Sequence, residues 1–443
     1  MSSGLDLRLE IERLPFGRPH LVAVVLLAIA TLFDGYDVFV PAYVIPYAIR
    51  AWRLVPSEAG LLVSSGLIGF MIGALLNGAF ADRIGRKPVL AAALLLAALG
   101  NLANATWVDS YPRFLAVRIA TGIGLGIILP LAVTLLNELA PSRIANVLLG
   151  WVMAGWSIGG VVAALAGIAL VPSPGWHALF AVGVLAAPLS ALVMVFLPES
   201  PRFLAIHGQQ DEARAVLARM ASTTPERYGG TELSVREDAE HAGSFAQLLA
   251  PRVRGRTLTV WACSGLSLFS IFGLSSWTPE IMLERGAAIR TSFALGAVLQ
   301  LAAVLGGLGC GWAADRSSRD RTLIASWAVG AAAVIGLALV AEPRLDIGFL
   351  AIAGFCVMGA QPVLNNLTAA LYETRIRSSG VGAQLGVGRL GGILGPYIGG
   401  WLQQLFPGSA ALFLFMACAL ASCALLIRRL ERSARTQVAP SAE

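Results

Sequence analysis

Apolar segments of about 20 residues recur along almost the whole chain, and each is bounded by charged residues, Pro or Gly. A helix of that length crosses the hydrocarbon core of a bilayer, where only helices and closed barrels satisfy every backbone hydrogen bond. Only 13% of the residues are charged, against about 25% in soluble domains. The sequence therefore predicts an all-α polytopic membrane protein with twelve transmembrane helices, at residues 20–49, 59–80, 88–107, 113–137, 146–170, 176–197, 257–280, 291–314, 322–341, 347–371, 379–404 and 409–430.

Positive charge is concentrated on one side of these segments. The dense set includes Arg83, Arg86 and Lys87, and the sparse set on the other side includes Arg50 and Arg113. Because cytoplasmic loops carry the excess of Lys and Arg, we expect both termini in the cytoplasm. The net charge of +6 thus reports topology, and we expect the lipid bilayer rather than nucleic acid as the partner. The arginine-rich usage is typical of a bacterial gene, so we expect the protein in a bacterial inner membrane. We also expect it to be a monomer.

One long polar interruption, from Pro198 to Arg256, divides the chain. It predicts an N-terminal six-helix bundle at 1–197, a cytoplasmic linker at 198–256, and a C-terminal six-helix bundle with a tail at 257–443. Within the linker, the pattern from Asp211 to Met220 indicates a short amphipathic helix. We expect the linker as a whole to be solvated.

The two halves repeat each other at an offset of about 232 residues. GAFADRIGRK, from Gly78, returns as GWAADRSSRDR, from Gly311, so that Asp82 and Arg83 correspond to Asp315 and Arg316; further on, Arg143 corresponds to Arg375. Two pseudo-symmetric bundles with a site between them near the midplane form the parallel-repeat plan of transporters.

Two carboxylates, Asp34 and Asp37, lie inside the first apolar segment. An ionisable side chain at that depth costs about 2.5–3.5 kcal/mol on insertion scales, so it faces a water-filled cavity by default and marks a functional site. At this spacing the two share one helix face, and their like charges favour protonation of one of them. The pair could therefore take and release a proton; the alternative is a helix-capping or structural hydrogen-bonding role.

Arg389 lies near the middle of the eleventh segment, among glycines and with no acid on its own helix. A guanidinium group binds a carboxylate through two parallel hydrogen bonds, so this position favours a site for an incoming anion. The alternative is a structural ion pair with Asp34, Asp37 or Glu138.

The loop motif after the second segment resembles the signature between helices 2 and 3 of the major facilitator superfamily. The residues that carry this resemblance are Gly78, Asp82, Arg83, Gly85 and Arg86, with Asp315 and Arg316 in the second copy. We call these the gating motif, since their charged bonds would hold one conformation and release in another. PESPRF, at Pro198 to Phe203, also fits the superfamily, whereas Ser318 in place of a second Gly85 departs from it.

Within that superfamily, DGYD at Asp34 to Asp37 is similar to the first-helix signature of the aromatic acid:proton symporters, the benzoate and 4-hydroxybenzoate transporter type. GVGRLGGILGP, from Gly386, is similar to the same family. The resemblance implies that Arg118 and Glu138 couple to the proton site, and that Arg389 serves the substrate. For Arg118 the alternative is again a structural ion pair.

Other polar and aromatic side chains in apolar segments are candidates to line the cavity. Trp156 occupies the place in the first half that Arg389 occupies in the second. The candidate substrate-binding set is Arg389, Tyr36, Trp156, Asn365, Gln361 and Gln384.

The sequence has no GxxxxGK[ST], HExxH or CxxC motif, which argues against ATP drive, a metal site or catalytic residues. We therefore predict no enzyme and no cofactor, but a secondary-active symporter that imports a proton with a small organic carboxylate by alternating access. The resemblance implies an aromatic acid. The alternatives are a transporter of another organic acid, such as a muconate- or nicotinate-like one, a proton/drug antiporter, and a membrane enzyme or sensor. Neither an enzyme nor a sensor would accumulate substrate.

Overall fold

The computed structural model describes residues 5–171, 175–224, 228, 233–234, 245–340, 342–406 and 408–438. Helices dominate, as expected where backbone groups must be satisfied within each segment. The elements in chain order are β1 (Leu5–Asp6), α1 (Leu7–Arg13), α2 (Arg18–Trp52), α3 (Pro56–Ile84), α4 (Arg86–Thr106), α5 (Tyr111–Leu139), α6 (Ser142–Leu170), α7 (His177–Gly183), α8 (Ala186–Phe196), α9 (Pro201–Ile206), α10 (Gln210–Ala221), β2 (Leu233–Ser234), α11 (Phe245–Leu248), α12 (Arg254–Glu284), α13 (Ile289–Arg316), α14 (Arg319–Leu339), α15 (Pro343–Ala353), a π-helical turn (Gly354–Met358), α16 (Ala360–Leu371), α17 (Thr374–Leu405) and α18 (Ala410–Val438).

Within the described residues, eleven helical stretches are long and apolar enough to cross a membrane. They coincide with eleven of the predicted segments, so the chain is a multi-pass membrane protein. The remaining segment, 379–404, falls in α17, which is 32 residues long but carries Gln384, Arg389 and many glycines that lower its hydropathy. The twelfth crossing stays a prediction.

Two of the predicted transmembrane segments are irregular. The sixth is interrupted by a turn at Val184 and Leu185, between α7 and α8. The tenth contains the π-helical turn between α15 and α16. Such turns are rare in proteins, and those that occur often lie at functional sites. This one directly precedes Gln361 and Asn365 of α16.

The chain forms two compact units. Unit 1 comprises Met1–Val38, Ile68–Gly160 and His177–Ala239, and within it α4 packs against α5 and α8. Unit 2 comprises Phe39–Leu67, Val161–Trp176 and Glu240–Glu443, and within it α12 packs against α17, and α14 against α18. The division into two six-helix bundles about a linker at 198–256 stays a prediction.

The N-terminal tail and the linker form a small apolar core, which we call the tail–linker cluster. β1 pairs in parallel with β2, with Leu5 opposite Leu233. The amphipathic helix predicted at 211–220 is confirmed as α10, and its apolar face is buried in this cluster. The buried members are Leu7, Phe203, Leu204, Ala205, Ala213, Leu217, Ala218, Tyr228 and Leu233.

The expectation of a solvated linker is therefore wrong for the apolar face of α10, which is buried in this cluster, whereas Asp211 and Glu212 on the same helix are exposed. The physical reason is that the apolar face of α10 finds a partner in the distant N-terminal tail, which removes apolar surface from water. The linker residues 225–227, 229–232 and 235–244 lie outside the described residues.

Candidate functional site

A buried ion pair joins two helices of unit 1. Arg118 of α5 donates from one terminal nitrogen to a carboxylate oxygen of Asp37 on α2, and from the other to the Asp37 backbone oxygen at 3.1 Å. The second carboxylate oxygen of Asp37 accepts a bond from the amide of Asn101 on α4. Asp37, Arg118 and Asn101 are each no more than 2% exposed. Arg118 thus contacts one of the two acids of the first helix, and its coupling role stays a prediction beside the structural ion pair.

Apolar side chains surround this cluster. A small cavity beside Asp37 and Asn101 is lined by Phe33, Leu94, Ala97, Leu125, Ile128, Gly183 and Ala186. The Arg118 guanidinium also lies 5.9 Å from the centre of the Phe180 ring. In such surroundings an ion pair is stable only when both partners are charged and well placed, and losing one partner costs about 3–5 kcal/mol. A change in the charge of Asp37 would therefore disturb the packing of α2 against α5.

Asp34 lies one turn before Asp37 on α2 and is 0% exposed. On the same helix, the Tyr36 hydroxyl donates to the backbone oxygen of Leu179 at 2.6 Å. Gly35 allows the closest approach in this region, because a Cβ there would lie 1.9 Å from the backbone oxygen of Trp156 on α6. The Tyr36 hydroxyl is thus held by a hydrogen bond within unit 1. Contacts of Tyr36 and of Trp156 with a substrate ring stay predictions.

The first copy of the gating motif is built around Arg86 at the start of α4. Its side chain bonds Asp82 at 3.1 Å, Glu138 at 3.2 Å and the Ala81 backbone oxygen at 3.0 Å. The structure therefore places Glu138 beside the gating motif, whereas Arg118 lies with Asp37. Coupling through Glu138 would have to pass through this loop.

Glu199 completes this motif from the linker side. The backbone N–H groups of Arg86 and Lys87 each donate to its carboxylate at 3.1 Å, which caps the positive end of α4. Gly85 has φ +112°, and a Cβ there would lie 2.5 Å from Glu199 Oε2, so the turn requires glycine. Burial raises the pKa of Glu199, although these N–H bonds and Arg86 act in the opposite direction.

The other members of the gating motif are less engaged. Gly78 and Arg83 are exposed. In the second copy, Asp315 and Arg316 are exposed as well, and Arg316 lies over the ring of Trp312 at 4.1 Å. The loop after α13 therefore differs from the loop after α3, where Arg86 gathers two carboxylates.

Unit 2 contains a chain of uncharged polar side chains, which we call the amide chain. Ser267 of α12 donates to Gln361 at 3.0 Å, and Gln361 and Gln384 both donate to Asn365 Oδ1, at 3.5 and 3.3 Å. Gln384 also donates to Ser264 of α12 at 2.8 Å. Three of the predicted substrate-binding residues are thus bonded to one another.

Arg389 lies close to the amide chain on α17. A Cβ on its neighbour Gly388 would lie 2.3 Å from the Ser264 hydroxyl, the same hydroxyl that Gln384 bonds. Arg389 is partly exposed, and its role in binding an anion stays a prediction.

A second close contact in unit 2 joins the first turns of α3 to the last turns of α17. A Cβ on Gly60 would lie 2.2 Å from the Pro396 backbone oxygen, and one on Gly400 would lie 2.1 Å from that of Pro56. We call Pro56, Gly60, Pro396 and Gly400 the outer seam, because they lie on the side predicted to face away from the cytoplasm. Ser57 and Gln404 hydrogen-bond beside it at 2.8 Å. Segments from the two halves of the sequence therefore meet here in direct contact.

Sequence reasoning missed several residues at these sites. Asn101 could have been found as an amide inside an apolar segment, and Ser264 and Ser267 as hydroxyls in another. Glu199 was within the quoted PESPRF motif, but no sequence signal linked it to a loop more than a hundred residues earlier.

Comparison with known proteins agrees with this architecture. The model of the major facilitator superfamily matches residues 27–383 and 260–443. A gallate transporter of Pseudomonas putida is 33% identical over 430 residues, which are 96% of this chain and 95% of that protein. The 4-hydroxybenzoate transporter PcaK of Acinetobacter baylyi is 35% identical over 407 residues, covering 90% and 88% of the two chains.

Among solved structures, the xylose transporter XylE from E. coli, in a partially occluded inward-open conformation, matches with a TM-score of 0.73. The identity is 17%, and the match covers 93% of this chain and 97% of that one. At this identity the likeness shows the fold alone.

Proposed function

Because the chain belongs to the major facilitator superfamily, whose matched relatives are transporters and not enzymes, we propose that it is a proton-coupled symporter for a small aromatic carboxylate. The relatives' substrates, gallate and 4-hydroxybenzoate, support the substrate class. The observation that carries the proton coupling is the buried contact of Asp37 with Arg118 and Asn101. The bacterial inner membrane, cytoplasmic termini and a monomeric state belong to the same proposal.

Proton coupling follows from the chemistry of this contact. Protonation of Asp37 would remove the charge that Arg118 and Asn101 hold, and so weaken the bond between α2 and α5. Asp34, buried one turn away, is the second acid through which a proton could pass. A conformational change that moves Arg118 off Asp37 would in turn favour its protonation.

Substrate binding in this proposal falls to Arg389. A guanidinium next to uncharged amides selects an anion by charge and leaves the rest of the molecule to neutral contacts. Binding of the carboxylate would neutralise the partly exposed Arg389, and protonation of Asp37 would loosen its contact with Arg118, so both ligands together favour the conformational change.

Alternating access would use the gating motif on the cytoplasmic side and the outer seam on the other. The close packing of Gly60 and Gly400 supports an outer seam that is closed in this conformation. Asp82 and Glu138 bond the same guanidinium of Arg86, so a movement of this side chain would break both bonds together.

Uptake into proteoliposomes tests the proposal. We expect labelled aromatic acids to accumulate under an inward proton gradient and not after an ionophore collapses it. Asp37→Asn should abolish gradient-driven accumulation while retaining exchange of internal for external substrate, because exchange needs no net proton movement. Arg389→Ala should abolish both.

Three results would contradict the proposal. Accumulation of an aliphatic acid alone would change the assigned substrate class. Expulsion of a cationic dye with no acid uptake would indicate an exporter. Gradient-driven uptake in Asp37→Asn would remove the proton role from this residue. Arg113→Ala, which removes an arginine paired with Asp109 on the surface, serves as the control.

A further inference from the structure

The break in the sixth predicted segment has a cause in the sequence. Pro188 has no N–H group, and in a continuous helix its ring would collide with the backbone oxygen of Val184, four residues earlier. The bonds around the break are tighter than those of an α-helix, because Val184 donates to Ala181 at 3.3 Å and Ala187 donates to Val184 at 2.9 Å, each three residues back. Bonds of this kind are common where one helix is connected to another. α7 is therefore a separate short helix and not the first part of a straight one.

The end of α7 packs on the helices that carry the buried ion pair. The backbone oxygen of Leu179 accepts the bond from the Tyr36 hydroxyl of α2 at 2.6 Å. The ring of the next residue, Phe180, has its centre 5.9 Å from the Arg118 guanidinium of α5, a distance at which a cation is attracted to an aromatic ring. Phe114 of α5 meets the Phe180 ring edge-on, with 5.8 Å between the ring centres. Two consecutive residues of α7 thus contact both helices of the ion pair.

Gly183, the last residue of α7, leaves room for the amide that holds Asp37. A Cβ at this position would lie 2.4 Å from Nδ2 of Asn101, and the same nitrogen donates to the Asp37 carboxylate. Glycine weakens a helix relative to alanine. Because the φ angle of Gly183 is not positive, the backbone does not require glycine here, whereas the space for the amide does. An added methyl group would push the amide off the carboxylate, since the tip of an asparagine side chain moves more easily than the helix behind it.

We propose that α7 positions the proton site, and that Gly183 is the positioning residue through which α7 acts on Asp37. In this arrangement α7 leaves Asn101 free to donate to the carboxylate and places an aromatic ring beside Arg118, so both partners of the ionised acid are held in place. Asp37 must regain this ionised state after each proton is released to the cytoplasm. The inference rests on the proposed function, since it adds positioning residues to the acid that carries the proton.

Gly183→Ala tests this in proteoliposomes with labelled gallate and 4-hydroxybenzoate, the substrates of the matched relatives. Uptake driven by an inward proton gradient should fall at least fivefold, because the displaced amide no longer stabilises the ionised acid. Exchange of internal for external substrate should stay within twofold of the wild type, since exchange needs no net release of protons. A role of α7 in packing alone would lower both rates together.

A double variant separates positioning from packing. In Asn101→Ala the amide is absent, so the addition of Gly183→Ala should lower gradient-driven uptake by less than a further twofold. Independent effects would instead multiply, to a loss of about 25-fold. The matched control is Gly150→Ala in α6, because a Cβ there meets nothing within 4 Å, and its uptake should stay within twofold of the wild type.

Phe180→Leu is the second test, and it decides the matter if Gly183→Ala does not fold. It takes the aromatic ring away from Arg118 but keeps an apolar side chain in its place. Gradient-driven uptake should fall at least threefold, again with exchange retained.

The failure of this inference and that of the proposed function give different results. If the wild type accumulates no acid under a gradient, the proposed function is wrong and this inference falls with it. The symporter stands and α7 does not position the proton site if the wild type accumulates acid while Gly183→Ala keeps normal uptake or loses uptake and exchange equally. A multiplied loss in the double variant leads to the same conclusion.

Discussion

Replacing Gly400 by valine should hold the outer seam open. A Cβ at this position would lie 2.1 Å from the Pro56 backbone oxygen and 2.9 Å from the Ser57 Cα, so the ends of α3 and α17 must part by more than an ångström. Overpacking of this kind costs about 1–3 kcal/mol, and it falls only on the conformation in which the seam is closed. The ratio of the closed to the open conformation should therefore fall about 5- to 150-fold.

A cross-linking assay measures this population directly. Ser57→Cys and Gln404→Cys replace two side chains that hydrogen-bond at 2.8 Å, in a background from which the native cysteines have been removed. A short thiol cross-linker should join them readily with Gly400 present and at least fivefold more slowly in Gly400→Val. Substrate uptake should slow in parallel, while binding from the outer side should not weaken.

The control for this prediction is Gly382→Val on the same helix, because a Cβ there meets nothing within 4 Å. It carries the same cost of valine in a helix without the steric conflict. Equal cross-linking rates in the two variants, or normal uptake by Gly400→Val, would refute the idea that this seam must close during transport.

Two further predictions concern unit 1. Asn101→Ala removes a donor from the buried Asp37 carboxylate, so gradient-driven uptake should fall at least fivefold; Asn104→Ala, whose amide bonds its own helix at Gly100, should not change it, and a loss in both would point to a packing effect. Burial raises the pKa of Glu199. At a pH between the ordinary glutamate pKa and the raised one, the folded chain therefore keeps a proton that the unfolded chain has lost. The free energy of unfolding then falls as the pH rises through this range. Glu199→Gln does not titrate, so the thermal midpoint of the wild type minus that of the variant should decrease over this pH range, and a constant difference would contradict the argument.

Hydropathy alone predicted the transmembrane helices well, because a segment that must satisfy its backbone inside a bilayer has few alternatives to a helix. It could not place the π-helical turn before α16, since the GFCVM segment is as apolar as its neighbours. Hydropathy also could not predict the burial of α10, because residues that cover its apolar face lie near Leu7, about two hundred positions away.

For the candidate site, charge inside apolar sequence singled out two residues that the structure brings together. Asp37 and Arg118 stood out because each is expensive unless it is paired, and the structure pairs them. Neutral polar residues such as Asn101 and Ser264 carry a much smaller penalty and are therefore hard to separate from ordinary packing in a sequence. The surroundings of Glu138 could not be foreseen either, because its partner Arg86 is brought to it by the packing of α4 on α5.

The pairing of β1 with β2 has a consequence for how the chain is made. Leu5 leaves the ribosome more than two hundred residues before its partner Leu233, which follows only after the first six apolar segments. The N-terminal strand must therefore wait, with its backbone bonds to water, until that half of the protein has been inserted into the bilayer. Closing so long a loop costs conformational entropy before the contact stabilises the chain. The strand pair therefore forms late, after the first half has been synthesised. A substitution of Leu5 would then disturb the folding of the linker at Leu233, far along the chain from the altered residue.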